Sequence, residues 1–298
     1  MKALASFIMQ GRLRAVTTVA GFGAAGLIIP PLGLVASAAV ALVALRLGTL
    51  QGLWVLLMAS ALLAGLVWVS GVQPAVGFML GAVQWLPMLL LAHLLRQTVS
   101  WPASLLAGVA VACGGILLVH ASVPDVTEMW VQTLHQILGP VFQQSGTSAA
   151  DLDEALRQAA PLMTGMLAAA LLMSLALALV LARYWQAQLY NPGGFADEFQ
   201  RLQLGRVPAL VLAGLMLGAW MTQSTLLIEL SLVFLVVFFL QGIALVHGLT
   251  RQLEMHKFWL VGMYVLMVIA LPQVMIMLSA FGAIDSVADF RARFARKA

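Results

Sequence analysis

"LLIELSLVFLVVFFLQGIALVHG", residues 226–248, reads as a single membrane-spanning helix. About 20 consecutive apolar residues suffice to cross the roughly 30 Å hydrocarbon layer of a bilayer. Glu229 is the one acidic side chain well inside such a run. Similar apolar stretches lie on either side, near 15–45, 49–70, 74–95, 102–121, 161–182, 207–223 and 258–282. Polar or turn residues limit them, such as Gln73-Pro74, Ser100-Trp101-Pro102, Asn191-Pro192 and Gln223-Ser224-Thr225.

Composition says the same. Of 298 residues, 62% are hydrophobic and 9% charged, and the mean hydropathy is +1.02. A soluble domain carries about 25% charged residues, so this chain lacks the charge to cover a water-facing surface. The predicted fold is an all-α polytopic transmembrane helical bundle of about eight spans, one integral membrane domain over 1–298. The net charge of +4 is modest. In a membrane protein basic residues mark the cytoplasmic side first, so no nucleic-acid partner is expected. A single cysteine, Cys113, excludes a disulfide within the chain. The start, MKALASFIMQGRLR before an apolar run, has signal-peptide character, with Ala36-Ser37-Ala38 as a small-residue cleavage site. The run is too long for a signal core, and an uncleaved first span is the preferred reading.

The stretch 15–45 poses a topological question. A straight helix over it would be about 46 Å long, and Pro30-Pro31 sits at its middle. It is either one kinked, tilted helix or two short ones. A hairpin puts Lys2, Arg12, Arg14, Arg46, Arg96, Arg183, Arg201, Arg206, Arg251 and Lys257 on one side, but leaves Arg291, Arg293, Arg296 and Lys297 on the other. A single helix reverses the fault. A re-entrant element would bring the tail back, and Pro272 marks a possible break. Both termini and the 183–206 loop are expected inside. The acidic insert 123–160, with Asp125, Glu128, Asp151, Asp153 and Glu154, is expected outside. Within it Leu152, Ala155, Leu156, Ala159 and Ala160 follow helical spacing, with Thr147 or Ser148 as cap.

Few residues offer chemistry. Gly21-Phe-Gly-Ala-Ala-Gly26 spells a dinucleotide-loop motif, but no strand precedes it, and helix packing is the better reading. Ala20/Ala24, Ser37/Ala41, Gly77/Gly81 and Gly214/Gly218 are further small-residue pairs at four-residue spacing. Glu229 is either a substrate contact or an interfacial, structural group, since an ionisable side chain in a span is costly. Gln84 and Trp85 precede Pro87, which frees a backbone carbonyl, so this span can wall a pocket. His93, His120, His135, His247 and His256 are scattered without ligand spacing, so no metal is expected. No catalytic motif appears, and neither an enzyme nor a cofactor is expected.

Residues 181–206 stand apart. Arg183, Tyr184, Trp185 and Tyr190 sit where a span leaves the bilayer. Asn191-Pro192-Gly193-Gly194 then makes a sharp turn. Phe195, Phe199 and Leu202 share a face of a short amphipathic helix, with Asp197 and Arg201 as a four-apart ion pair. The run Arg183-Tyr-Trp-Gln-Ala-Gln-Leu-Tyr-Asn-Pro-Gly-Gly-Phe195, followed by acidic residues and Phe199, resembles the signature of an uncharacterised bacterial membrane-protein family typified by YybS, in its proteobacterial branch. That family is in turn distantly similar to the S components of energy-coupling-factor (ECF) vitamin transporters.

The resemblance implies an S-component-like subunit in the bacterial cytoplasmic (inner) membrane. Such a subunit binds a small molecule and docks on a membrane coupling subunit driven by separate ATPases. Ala20/Ala24 or Ser37/Ala41 would supply the docking helix. Glu229, Gln84 and Trp85 are the pocket candidates. Arg183, Tyr184, Trp185, Tyr190, Asn191, Pro192, Gly193, Gly194, Phe195 and Phe199 are the partner-docking candidates. The alternative is a membrane scaffold without substrate, recruiting a cytoplasmic partner through 181–206.

Overall fold

The structure is a computed structural model and describes residues 1–145 and 149–295. All regular elements among the described residues are helices. Seven are long and apolar enough to cross a membrane, which makes this an all-α multi-pass bundle. The candidate cap residues Thr147 and Ser148, and tail residues Arg296 and Lys297, lie outside the described residues.

The stretch 15–45 is two helices. After the short α1 (Lys2–Met9), α2 (Arg12–Gly26) turns at 27–29 into α3 (Pro30–Leu47). Pro30 and Pro31 fill the first turn of α3, where backbone N–H groups have no helical acceptor. The turn itself is Leu27, Ile28 and Ile29, apolar and exposed. Such a tip suits hydrocarbon, and the prolines reduce the number of orphan donors placed there. A Cβ on Gly26 would lie 2.7 Å from the Gly33 backbone, so two glycines let the hairpin close.

Helices α4 (Thr49–Val69), α5 (Pro74–Thr98) and α6 (Trp101–Ser122) then run up and down. Thr49 bonds His93 at 2.7 Å near one end of α4 and α5, and Gly77 meets Ala64 near the other. The insert contains α7 (Val126–Ser145), which its sequence did not announce, and α8 (Ala149–Ala159). Leu152 and Leu156 of α8 are buried, as the amphipathic spacing requires. A short 3-10 turn, Ala160–Leu162, leads into α9 (Met163–Tyr190). Beyond it come α10 (Gly194–Phe199), α11 (Arg206–Thr222) and α12 (Thr225–Gln252).

The apolar run 258–282 also breaks, into α13 (Phe258–Ile269) and α14 (Leu271–Ala288), with α15 (Phe290–Ala295) beyond. Twelve residues of α13 span about 18 Å, too little to cross. The chain returns to the end it left: the Gln252 amide donates to the Arg291 carbonyl at 3.0 Å, and Arg291 donates to the Leu202 carbonyl at 3.0 Å. The tip again exposes apolar Val268, Ile269 and Leu271 and carries a proline, Pro272, in the following first turn. This second hairpin resolves the charge conflict. Arg291 and Arg293 join the other basic residues at one end, and Arg157 is the one described basic residue at the acidic end.

The spine of the bundle is α12, packed against α14, α9 and α11. Its closest crossing is with α14. A Cβ on Gly242 would strike the Leu278 carbonyl, and one on Gly282 the Phe238 carbonyl. Of the small-residue pairs read from sequence, Gly77 and Gly81 pack α5 on α4. Gly214 faces open space, while Gly218 meets the Leu227 side chain of α12, so only one member of that pair is at a helix contact. In the 21–26 motif, Gly23 lies against Trp85 and Gly26 against Gly33, which is the packing use. Ser37 and Ala41 are wholly buried in α3. They cannot present a surface to another subunit, which removes Ser37/Ala41 as the docking pair; Ala20 and Ala24 are half-buried. Ala36 and Ala38 are equally buried.

Candidate functional site

The three pocket candidates do not meet. Gln84 and Trp85 sit together on α5, one turn from the internal Pro87. Glu229 lies in the first turns of α12. Gln84 reaches Ser174 on α9, while Glu229 holds Gly165 of the same helix. Nine residues of α9 separate those contacts, about 13 Å along its axis.

The Gln84 site is a cleft of about 280 Å³ under the tip of the α2–α3 hairpin. Gly26, Leu27, Pro30 and Gly33 form one wall, Leu63 and Leu80 another, and Gln84, Trp85 and Ser174 the floor. Gln84 Nε2 donates to Ser37 Oγ at 3.2 Å and more weakly to Ser174 Oγ at 3.5 Å. Its amide oxygen has no hydrogen bond among the described residues. Ser37 Oγ donates in turn to the Gly33 carbonyl at 3.1 Å. Trp85 is buried because Gly23 and Gly81 leave room for its indole. The cleft therefore presents one amide and one hydroxyl within apolar walls, part-way between the ends of the helices. Small-molecule sites take this form, a few placed polar groups in an apolar concavity.

Glu229 is wholly buried. One carboxylate oxygen accepts from Gly165 N–H at 2.9 Å. The other meets His120 Nε2 at 2.6 Å, from the last turn of α6. Just beside it, Trp130 Nε1 of α7 donates to Thr164 Oγ1 at 2.8 Å. Both oxygens are engaged by the protein itself, and they clamp α6, α9 and α12 together below the insert. These bonds are those of a structural tie between three helices. The scattered histidines concealed this contact, since residues 120 and 229 are 109 positions apart.

A second buried carboxylate escaped the sequence reading. Asp285 of α14 is wholly buried at the basic end. Gln241 Nε2 donates to it at 3.2 Å and to the Gly282 carbonyl at 2.8 Å. Gln241 Oε1 accepts from Leu204 N–H at 2.9 Å and from the Ser286 hydroxyl at 3.1 Å. Arg291 lies 3.7 Å from Asp285. This network fastens the 200–206 segment to α12 and α14. An amide at the centre of the 226–248 run, Gln241, was the available signal.

The 183–206 segment folds inward more than expected. Helix α9 continues through Tyr190, and the turn lies at Asn191–Gly193, with Gly193 at φ 92°. Trp185 is wholly buried. Phe195 and Phe199 stack on each other and meet Trp101 edge-on at 6.3 and 6.1 Å. Arg183 makes two bonds to Glu198, at 2.6 and 2.9 Å. Asp197 pairs with Arg251 of α12, not with Arg201. The helix ends at Phe199, before a four-apart partner can align, and Leu202 is buried beyond it. The Arg251 hydrogen bond holds the Asp197 carboxyl below the usual carboxylate range. Tyr184, Tyr190, Asn191 and Pro192 remain at the surface, and Arg46 lies over the Tyr190 ring at 4.1 Å.

Apolar helices, two proline-tipped hairpins and polar side chains buried at membrane depth together define a multi-pass integral membrane protein. Its sequence matches the family model described as "predicted membrane protein (DUF2232)" over residues 15–286. The chain belongs to that family. No curated protein and no solved structure matches it.

Proposed function

We propose that this protein is a transporter-like, substrate-binding membrane subunit that captures a small molecule and relies on separate coupling and ATPase chains. One observation carries the reading: the cleft under the α2–α3 tip, where Gln84 and Ser174 offer polar contacts within apolar walls. Polar side chains at membrane depth are costly and commonly mark a substrate path. The 183–195 run, with its resemblance to the YybS family and through it to ECF S components, points the same way. The basic end is taken as cytoplasmic by the positive-inside bias, in the bacterial inner membrane. The protein has no enzymatic step of its own in this reading. The inward packing of Trp185, Phe195 and Phe199 favours it over a scaffold that recruits a partner through 181–206. Any docking there would use Tyr184, Tyr190, Asn191 and Pro192.

Native mass spectrometry of the full-length protein, gently purified from its own membrane, tests the proposal. The expected result is a bound small molecule in the wild type that disappears in Gln84→Ala while the helical content is unchanged. A protein without ligand, or equal occupancy in both forms, would overturn it. A soluble partner lost on altering Asn191-Pro192 would instead favour the scaffold.

A further inference from the structure

The cleft under the α2–α3 tip restricts the chemistry of what it can hold. Gln84 sets the first restriction. Ser37 Oγ carries one hydrogen and gives it to the Gly33 carbonyl at 3.1 Å. The part of the Gln84 amide that faces Ser37 must therefore be its NH2 group, the donor. That orientation leaves the amide oxygen as an acceptor with no donor among the described residues. Ser174 is its neighbour. Its Oγ lies 3.5 Å from the same amide nitrogen, and its hydroxyl hydrogen goes to no acceptor among the described residues. The floor thus offers one acceptor and one donor side by side.

The second restriction is charge. Among the described residues no charged side chain lines the cleft. On the helices that form it, the closest charged residues are Arg14 and Arg183. They stand nine positions from Gly23 and Ser174, about 13 Å along the helix axis. An ion placed in the cleft would lose its water and meet no counter-charge, which is costly at membrane depth. The rim is apolar as well, with Leu27 and Leu80 exposed. The third restriction is size. A volume of about 280 Å³ lies just below the roughly 300–1,000 Å³ usual for small-molecule sites.

We infer that the cleft takes a small, uncharged, largely apolar molecule with an adjacent hydrogen-bond donor and acceptor. Its donor meets Gln84 Oε1, and its acceptor meets the Ser174 hydroxyl. The N–H and C=O edge of a lactam has this arrangement. The inference rests on the reading of the cleft as the binding site, and adds the class of molecule bound there.

The test is equilibrium dialysis of the full-length protein in nanodiscs, with empty nanodiscs as reference. The probes are 2-quinolinone, an uncharged lactam, its N-methyl derivative, which lacks the donor, and quinoline-2-carboxylate, similar in shape but charged. The wild type should bind 2-quinolinone above the reference, and the carboxylate no more than empty nanodiscs do. N-methylation of the probe, or Gln84→Ala in the protein, should weaken binding about fivefold, the worth of one neutral hydrogen bond. Should Gln84→Ala misfold by circular dichroism, Ser174→Ala, which removes the hydroxyl, is read in its place. Carboxylate binding equal to that of the lactam, equal binding of the N-methyl probe, or no binding above the reference overturns the inference. Native mass spectrometry separates it from the reading beneath. A co-purified ion or phospholipid that is lost in Gln84→Ala overturns the inference and leaves the cleft a binding site. Equal occupancy in wild type and Gln84→Ala removes the cleft as a site, and the inference with it.

Discussion

At the residue scale, the charged group most conspicuous in the sequence is a strut. Glu229 has both oxygens occupied, by His120 and the Gly165 N–H. Truncation leaves a buried donor unsatisfied, a loss of about 1–3 kcal/mol. Glu229→Ala should therefore lower unfolding stability in micelles by that amount and leave ligand occupancy of the Gln84 cleft intact. Loss of ligand without loss of stability would return Glu229 to the binding site. Glycines separate in the same way. Gly282→Ala drives a methyl into the Phe238 carbonyl and should cost about 1–3 kcal/mol, as overpacking does. Gly214→Ala meets nothing and should be neutral or stabilising by up to about 1 kcal/mol. Equal effects in a thermal unfolding series would mean that the α12–α14 crossing is misjudged. Sequence spacing singled out Gly214 and passed over Gly282; only the facing helix distinguishes them.

At the element scale, the two hairpins are the features to probe. In a Cys113→Ala background, cysteines at Ile28 and Ile269 should resist a membrane-impermeant maleimide from both sides, because both tips end in hydrocarbon. Rapid labelling of either would place that tip in water and remove the re-entrant assignment. The prolines at 30, 31 and 272 were visible as breaks, yet whether a break kinks a helix or reverses it depends on neighbours that the local sequence does not contain. The α10 element gives a pH prediction. Its Asp197 has a lowered pKa through the Arg251 hydrogen bond. The link is thus complete above the unfolded value of about 3.9 and is lost as pH falls through the lower folded value. Hydrogen exchange of 194–199, corrected for intrinsic rates, should be constant from neutral pH down to about 4 and quicken below. Quickening near neutrality would point to a histidine instead.

At the scale of the whole molecule, charge and connectivity agree. With α13–α14 returning to its starting end, the N-terminal arm, the 190–206 segment and the described tail share one side, opposite α7 and α8. In intact cells, an impermeant maleimide should label a cysteine at Gly71 and spare one at Asn191. The reverse pattern would invert the orientation, and labelling at both would break the topology.

The sequence alone determined that this chain lives in a bilayer as a helical bundle, because hydropathy and length are local sums that need no partner. It also located the breaks, the acidic insert and the basic residues whose sides had to be reconciled. What the tertiary structure decided was pairing: Ser37 and Ser174 brought to Gln84, His120 to Glu229, Asp197 to Arg251, Gln241 to Asp285. Nearly every face in such a chain is apolar, so periodicity cannot say which face meets a neighbour and which meets lipid. Hydrogen bonds between helices far apart in sequence, and glycines that allow one crossing rather than another, make that choice.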